Sequence, residues 1–412
     1  MSAASNAGST RPFHALPAGG ATRSLWISRA SELLGDWAML VALLALVYRL
    51  SGSVPIVGLF VLARVLARAV VEYWSFSRPL SFGPRALALL CAGRVPLFAA
   101  LALVSTRDDL WWAAPLVLAA GALGSLSDAG RATLLPRLMP RGQVIATNTA
   151  NVSVERLCFL FGPLLGALAL SQWNHQAAFI VAAGLLALAA ALLLLLPGSA
   201  PADGAAPPPA RLPAFRERPL LITTAAALFT SAVVAVSLLV ALIALATGPL
   251  DRSEAGLGAL LACVGIGMFV GPLPAPKLLN RLPVPFLLAG SGASLAAGMA
   301  AVSQIEWLPG VAAILFLIGL CAITNDTTAS IAVRRSTRDI DLPGAIRAMR
   351  LATIAGQITG AAAVTMLCMV WSVTSVLLVI GVFGAVAASA LFIALYGRYY
   401  VNRFAERGRA SA

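Results

Sequence analysis

Charge is scarce in this sequence. Asp, Glu, Lys and Arg make up 11% of its 412 residues, while hydrophobic residues make up 60%. An average soluble domain is roughly a quarter charged. A chain with so little charge could not cover a water-facing surface, so the expected solvent is lipid. Lysine is rarer still. Lys277 stands alone and follows Pro276, whereas a Walker A loop needs glycine before its lysine. Nucleotide hydrolysis of that type is excluded. The histidines are His14 and His175, which excludes a histidine-rich metal site. No HExxH or CxxC occurs. Cys91, Cys158, Cys263, Cys321 and Cys368 are scattered through apolar runs. They read as small core residues and not as a disulfide framework. No enzyme site, cofactor or metal is expected.

What the chain has in abundance is long apolar runs, and crossing a bilayer takes about 20 such residues. Twelve are legible: 28–50, 54–73, 85–105, 110–129, 146–170 and 177–196, then 220–245, 255–276, 284–303, 308–330, 346–370 and 373–397. The fold expected is an all-α membrane protein. Between the sixth and seventh runs lies the Pro- and Ala-rich stretch 197–219, which cannot be regular structure throughout. It reads as a cytosolic linker. The organisation expected is a tail at 1–27, a six-helix bundle at 28–196, the linker, a second bundle at 220–397 and a tail at 398–412. Six plus six is how a two-bundle transporter is built.

The charge that exists is mostly positive, +13 at pH 7. Its placement argues against nucleic acid as the partner. With the N-terminus inside, 21 of the 29 basic residues fall in inner segments and three in outer loops. That bias places both termini in the cytoplasm and makes the net charge a topology signal. The first 24 residues hold no short hydrophobic region with a small-residue cleavage site, so no cleaved secretory signal is expected. The location expected is the cell's inner (plasma) membrane.

Ionisable groups inside the runs cost about 2.5–3.5 kcal/mol each on the lenient insertion scale, and they are the best functional pointers. Arg29, Glu32 and Asp36 share one face of span 1, and Arg64, Arg68 and Glu72 share one face of span 2. Two facing stripes predict a ladder, with Asp36 or Glu32 meeting Arg68 and Glu72 meeting Arg29. At about 1.5 Å per residue, Arg64, Arg94, Glu155 and Arg156 lie near the midplane. Three arginines then stand against one acid. Guanidinium suits carboxylate or phosphate recognition, so Arg64, Arg94 and Arg156 are candidate contacts for an anionic solute. The alternative is that backbone carbonyls and water satisfy them. The second half offers Arg350, Gln357, Asn325, Asp326 and the hydroxyls of span 7, and Gln357 joins the solute candidates.

Three stretches carry a family resemblance: 31–53 "SELLGDWAMLVALLALVYRLSGS", 128–170 "DAGRATLLPRLMPRGQVIATNTANVSVERLCFLFGPLLGALAL" and 256–273 "GLGALLACVGIGMFVGPL". They resemble the major facilitator superfamily, and more narrowly its macrolide and enterobactin (siderophore) efflux branch. The resemblance implies twelve helices in two six-helix bundles and gradient-driven alternating access, with a small solute and protons as partners. Gly162, Pro163 and Gly166 look like the span 5 motif of the superfamily's antiporters, which implies export. Asp36 and Glu155 become candidates for proton coupling. The segment "EYWSFSRPLSFGPRAL" (72–87) departs from the family's loop between spans 2 and 3, because it lacks the loop's Asp. Glu72 and Asp128 are candidates to replace that gating acid, beside Arg29, Glu32 and Arg68 as ion-pair residues. The expectation is a monomeric, proton-coupled exporter of a drug- or siderophore-like solute. Uptake by the same fold is the near alternative, and a non-transporting receptor or assembly protein is the distant one.

Overall fold

The computed structural model describes residues 20–77, 82–138, 144–196, 219–248, 250, 256–271, 281–337 and 341–410. The linker 197–219 lies outside the described residues except for Pro219, as do most of the N-terminal tail and Lys277. Among the described residues there is no strand. Among the described residues twelve α-helices of 15 residues or more follow one another: α1 Gly20–Ser51, α2 Val54–Ser77, α3 Pro84–Leu101, α4 Leu110–Leu138, α5 Val144–Gln172, α6 His175–Leu194, α7 Pro219–Thr247, α8 Gly256–Val270, α9 Val284–Val302, α10 Leu308–Ser336, α11 Leu342–Leu367 and α12 Val373–Ala410. Ten are long and apolar enough to cross a membrane. The other two are α8, which has 15 residues, and α11, which carries Arg347 and Arg350.

Local chemistry sets the helix ends. Pro84 opens α3, where its missing N–H is not needed. Asn174 caps α6 by accepting from the Ala177 N–H at 2.8 Å. Gly52 has φ +62°, and its N–H reaches the Tyr48 carbonyl at 2.7 Å. This left-handed closure suits glycine and turns α1 back into α2. The departures from expectation are at helix ends: α12 runs on to Ala410, so most of the expected tail 398–412 is helix, α1 begins at Gly20 within the expected tail 1–27, and α4 runs nine residues beyond the expected end at 129. Arg131 is therefore a helical residue, and the surrounding helices bury it to 7% exposure.

The helices alternate in direction. The end at which α1 begins is called near and the end at which it stops is called far. In the first half α1 packs on α5 and α6, α3 on α4 and α6, and α2 on α4. In the second half α7 packs on α11 and α12, α8 on α10, and α9 on α10 and α12. The main joins between halves are α2 with α11 and α5 with α8.

Apolar burial differs between the two ends. At the far end one continuous core joins both halves, from Ala38–Val47 of α1 through Leu238–Ala246 of α7 to Val376 and Ile380 of α12. Toward the near end the described residues form two separate cores. One holds Leu25, Leu87, Cys91, Leu134 and Leu193. The other holds Leu221, Leu288, Ala329, Ala345 and Met349. Between these cores and the far-end core lies a cavity lined from both halves, by Asp36, Arg64 and Asp128 of the first and Val236, Leu239 and Gln357 of the second.

Candidate solute-binding cleft

Small residues let the helices meet closely at the cleft's inner end. A Cβ on Gly162 would lie 2.5 Å from Trp37 Cβ, and one on Gly166 would lie 2.8 Å from the Ala38 carbonyl oxygen. These two glycines press α5 onto α1. On its other side α5 meets α8, where a Cβ on Gly258 would lie 2.5 Å from the Pro163 carbonyl oxygen. Trp37 is held edge-on to Phe159 with centroids 4.5 Å apart. Thus Gly162, Pro163 and Gly166 sit where one helix touches both halves.

An ionic network fills the near half of the first bundle. Glu32 is 1% exposed. Its Oε2 accepts from Arg131 Nε at 2.7 Å and its Oε1 from Arg94 Nη1 at 3.3 Å. Arg94, also 1% exposed, donates a second bond to Asp36. Its guanidinium carbon lies 5.4 Å from the centroid of the Phe98 ring, within cation–π reach. Gly124 leaves room for it, since a Cβ there would lie 3.2 Å from Arg94 Cζ. Arg131 also donates to Ser28 Oγ at 3.0 Å, and Ser28 donates to the Ala189 carbonyl at 3.0 Å. Arg29 gathers acids from three helices: Asp128 at 2.6 Å, Glu155 at 3.1 Å and Glu32 at 3.7 Å. Asn151 donates to the same Glu155 oxygen at 2.8 Å. The carboxylates of Asp128 and Glu155 stay 49% and 43% exposed, so the network runs from a dry centre to a wet edge.

These contacts correct the expected ladder. Asp36 and Glu32 do not meet Arg68 in a salt bridge, and Glu72 does not meet Arg29. Glu72 instead faces Arg350 of α11 at 3.8 Å, across the two halves. The reason lies in the packing. The charged stripe of α1 looks toward α3, α4 and α5, because α1 packs mainly on α5 and α6 and touches α2 only lightly. The expected surplus of midplane arginine changes too. Arg94 is held by two carboxylates. Arg156 lies within electrostatic reach of Glu155 and of Asp326 on α10. Its Nε is buried and has no hydrogen-bond partner.

That leaves Arg64. It makes no salt bridge among the described residues; Asp128 is within electrostatic reach, but so is the like charge of Arg68, and its Nη1 is buried with no hydrogen-bond partner. Gly121 lets it lie flat against α4, since a Cβ there would be 3.3 Å from both Arg64 Cγ and the Arg64 carbonyl oxygen. Arg68, one turn nearer the mouth, is exposed. Both line a cavity of about 180 Å³ together with Asp36, Trp37, Arg94, Ser125, Asp128 and, from the second half, Gln357. The structure therefore brings Asp36, Arg64, Arg68, Arg94, Asp128 and Gln357 to one cavity. Arg29, Glu32 and Glu155 stand behind it, Glu72 bridges α2 to α11, and Arg156 lies on α5.

Sequence reasoning missed Arg131, which was placed in an inner segment. Its signal was the Asp128–Arg131 spacing, one helical turn, which continues the polar face of α4. It also missed a neutral junction in the second half. Asn325 is fully buried. Its amide donates to Ser231 Oγ at 3.0 Å, and its oxygen accepts from Ser291 at 3.4 Å.

Among the described residues, no group of three or more His, Cys, Asp or Glu is placed to hold a metal ion. No protein-family model matches the chain, and no curated protein matches it. Solved structures do resemble it. A bacterial homolog of the human lysosomal transporter Spinster, inward-facing and unoccupied, superposes with a TM-score of 0.68 at 12% identity, covering 92% of this chain and 97% of that one. The nucleoside transporter NupG gives a TM-score of 0.67 at 14% identity, covering 91% and 98%. A POT family transporter in complex with a thioalcohol-conjugated peptide gives 0.68 at 13%, covering 90% and 95%. At such identities the likeness is one of fold, and the fold of this chain is that of these multi-pass membrane transporters.

Proposed function

We propose that this chain is a secondary active transporter of the major facilitator type, with twelve crossings in two six-helix halves. It works by alternating access and exports a small organic anion in exchange for protons. The observation that carries this reading is the cleft itself. A continuous core seals the far end, two separate cores part toward the near end, and Arg64 stands at the junction with a buried, unpartnered nitrogen. A buried cation without a partner is costly, and a visiting anion would offset that cost.

With both termini cytoplasmic, the near end faces the cytoplasm and the cleft is inward-open. Asp36 and Glu155 are the proposed proton carriers. Each shares an arginine with a second carboxylate, Asp36 through Arg94 and Glu155 through Arg29. Protonating one acid of such a pair leaves the arginine still held. The working unit is a monomer in the inner membrane.

The test is metabolite profiling of cells and medium with the gene deleted and restored, in iron-replete and iron-starved culture. An anionic compound retained by deletant cells and missing from their medium supports export. A compound left in the medium would mean uptake instead. No change in either direction would favour a protein that keeps the fold without transport. A pH-independent flux would remove proton coupling from the reading.

A further inference from the structure

The cavity is polarised along its length. On α2 the order from the far end is Val61, Arg64, Val65, Arg68. On α1, Leu40 lies farther in than Asp36, and on α4, Ala120 lies farther in than Ser125 and Asp128. The innermost wall is completed by Val236 and Leu239 of α7. The cavity thus ends in an aliphatic pocket, carries Arg64 above it, and opens through charged groups toward the near end. Arg64 lines the cavity between the two zones, and its covered Nη1 has no hydrogen-bond partner that would hold the guanidinium in place.

From this we infer that the bound solute is an amphipathic organic monoanion that enters tail first. Its alkyl or aryl part fills the pocket of Leu40, Val61, Val236 and Leu239. Its acid group stops at Arg64, with Gln357 reaching it from the second half. This deepens the transporter reading and rests on it for the solute's onward movement, but the binding step stands by itself.

A simple cation is disfavoured by Arg64 and Arg68. A fully polar anion would leave the aliphatic end unfilled. A group bearing several charges would also need a second unpaired cation at the same depth. Arg94, the nearest candidate, is already held by Glu32 and Asp36. Arg68 lies one turn toward the mouth and is exposed, so it suits steering at entry. Burying each methylene of the tail is worth up to about fourfold in affinity.

The experiment uses the full chain in nanodiscs and reads thermal unfolding against acetate, butyrate, hexanoate and octanoate, with hexylamine and hexanol as isosteres. Affinity should climb steeply from butyrate to octanoate. The amine and the alcohol should bind at least about tenfold more weakly, the loss of one charge-assisted contact. Arg64→Ala should abolish the octanoate shift while Arg64→Lys keeps part of it. A flat chain-length series, equal binding of hexylamine, or an octanoate shift that survives in Arg64→Ala would overturn the inference.

A parallel readout separates this inference from the transporter reading. A Ser125→Cys probe in a cysteine-free background is labelled from the near side with and without a pH gradient. If labelling still responds to the gradient while no anion of the series binds, the amphipathic monoanion is wrong and the transporter stands. If neither responds, both fall.

Discussion

In each half of the chain three helices meet at a polar junction. In the first half α1, α3 and α4 join through Glu32, Arg94 and Arg131. In the second half α7, α9 and α10, the helices six places later, join through Ser231, Ser291 and Asn325. One junction is ionic and the other neutral. A neutral buried hydrogen bond is worth about 1 kcal/mol net and does not titrate. An ionic cluster depends on every member, because removing one strands its partners in a dry site. The difference suggests a division of labour. The ionic junction holds groups whose charge can change, and the neutral one holds none.

Several measurements can break or sharpen that contrast. The largest effect should come from Arg94→Ala, which leaves Glu32 and Asp36 short of a cation and should destabilise the protein by about 3–5 kcal/mol. It should give the greatest fall in unfolding midpoint of any single substitution here. A fall no larger than that of Asn325→Ala would erase the distinction between the junctions. Asp36→Asn should abolish gradient-driven flux of the solute while substrate-induced stabilisation remains. Unaltered pH-driven flux would move coupling elsewhere, with Glu155 next in line. Asn325→Ala should cost about 1 kcal/mol, since it removes the contacts with Ser231 and Ser291 while both hydroxyls still donate to the Leu228 and Leu287 carbonyls, and it should leave the pH profile of transport where it was. A shifted profile would mean the neutral junction takes part in coupling. Arg350→Ala should change stability by at most about 1 kcal/mol, because Arg350 is 58% exposed and its bridge to Glu72 is screened by solvent. Last, Arg64→Ala should leave stability unchanged or raise it, the opposite of Arg94→Ala. A loss comparable to that of Arg94→Ala would show that Arg64 has a structural partner.

The fold was largely legible because a backbone in lipid must satisfy its own hydrogen bonds, and long runs that are mostly apolar do so as helices. Eleven of the twelve expected runs coincide with helices of 18 residues or more. The eighth was expected over 255–276, but its helix Gly256–Val270 is shorter. The charged residues were legible as a set and not as pairs. Spacing shows that Arg29, Glu32 and Asp36 share a face of α1, but it cannot show which helix that face meets. Assuming α2, the next helix in the chain, produced the wrong ladder. Arg94 looked like surplus charge for the same reason, as its two acids lie about 60 residues earlier on another helix. Arg64 was singled out by depth alone, and its isolation emerged only once the neighbouring acids were seen to be engaged elsewhere.

The single far-end core and the divided near-end cores also bear on leakage. On the proposed transport reading, opening the other way closes the halves over the near end. That closure would bring Arg68, Asp128 and Glu155, with Asp326 and Arg350 opposite, out of water. Dehydrating such an array is costly for each ion, and while the cavity is empty the unpartnered Arg64 nitrogen adds to that cost. A seated anion would partner Arg64 before the walls meet. The expected behaviour is a carrier that stalls when unloaded, so that protons do not slip across without cargo. Distances between spin labels on α4 and α10 near the cleft mouth should therefore stay long in solute-free membranes, even under a pH gradient. A short-distance population appearing there without solute would mean that the empty form crosses freely.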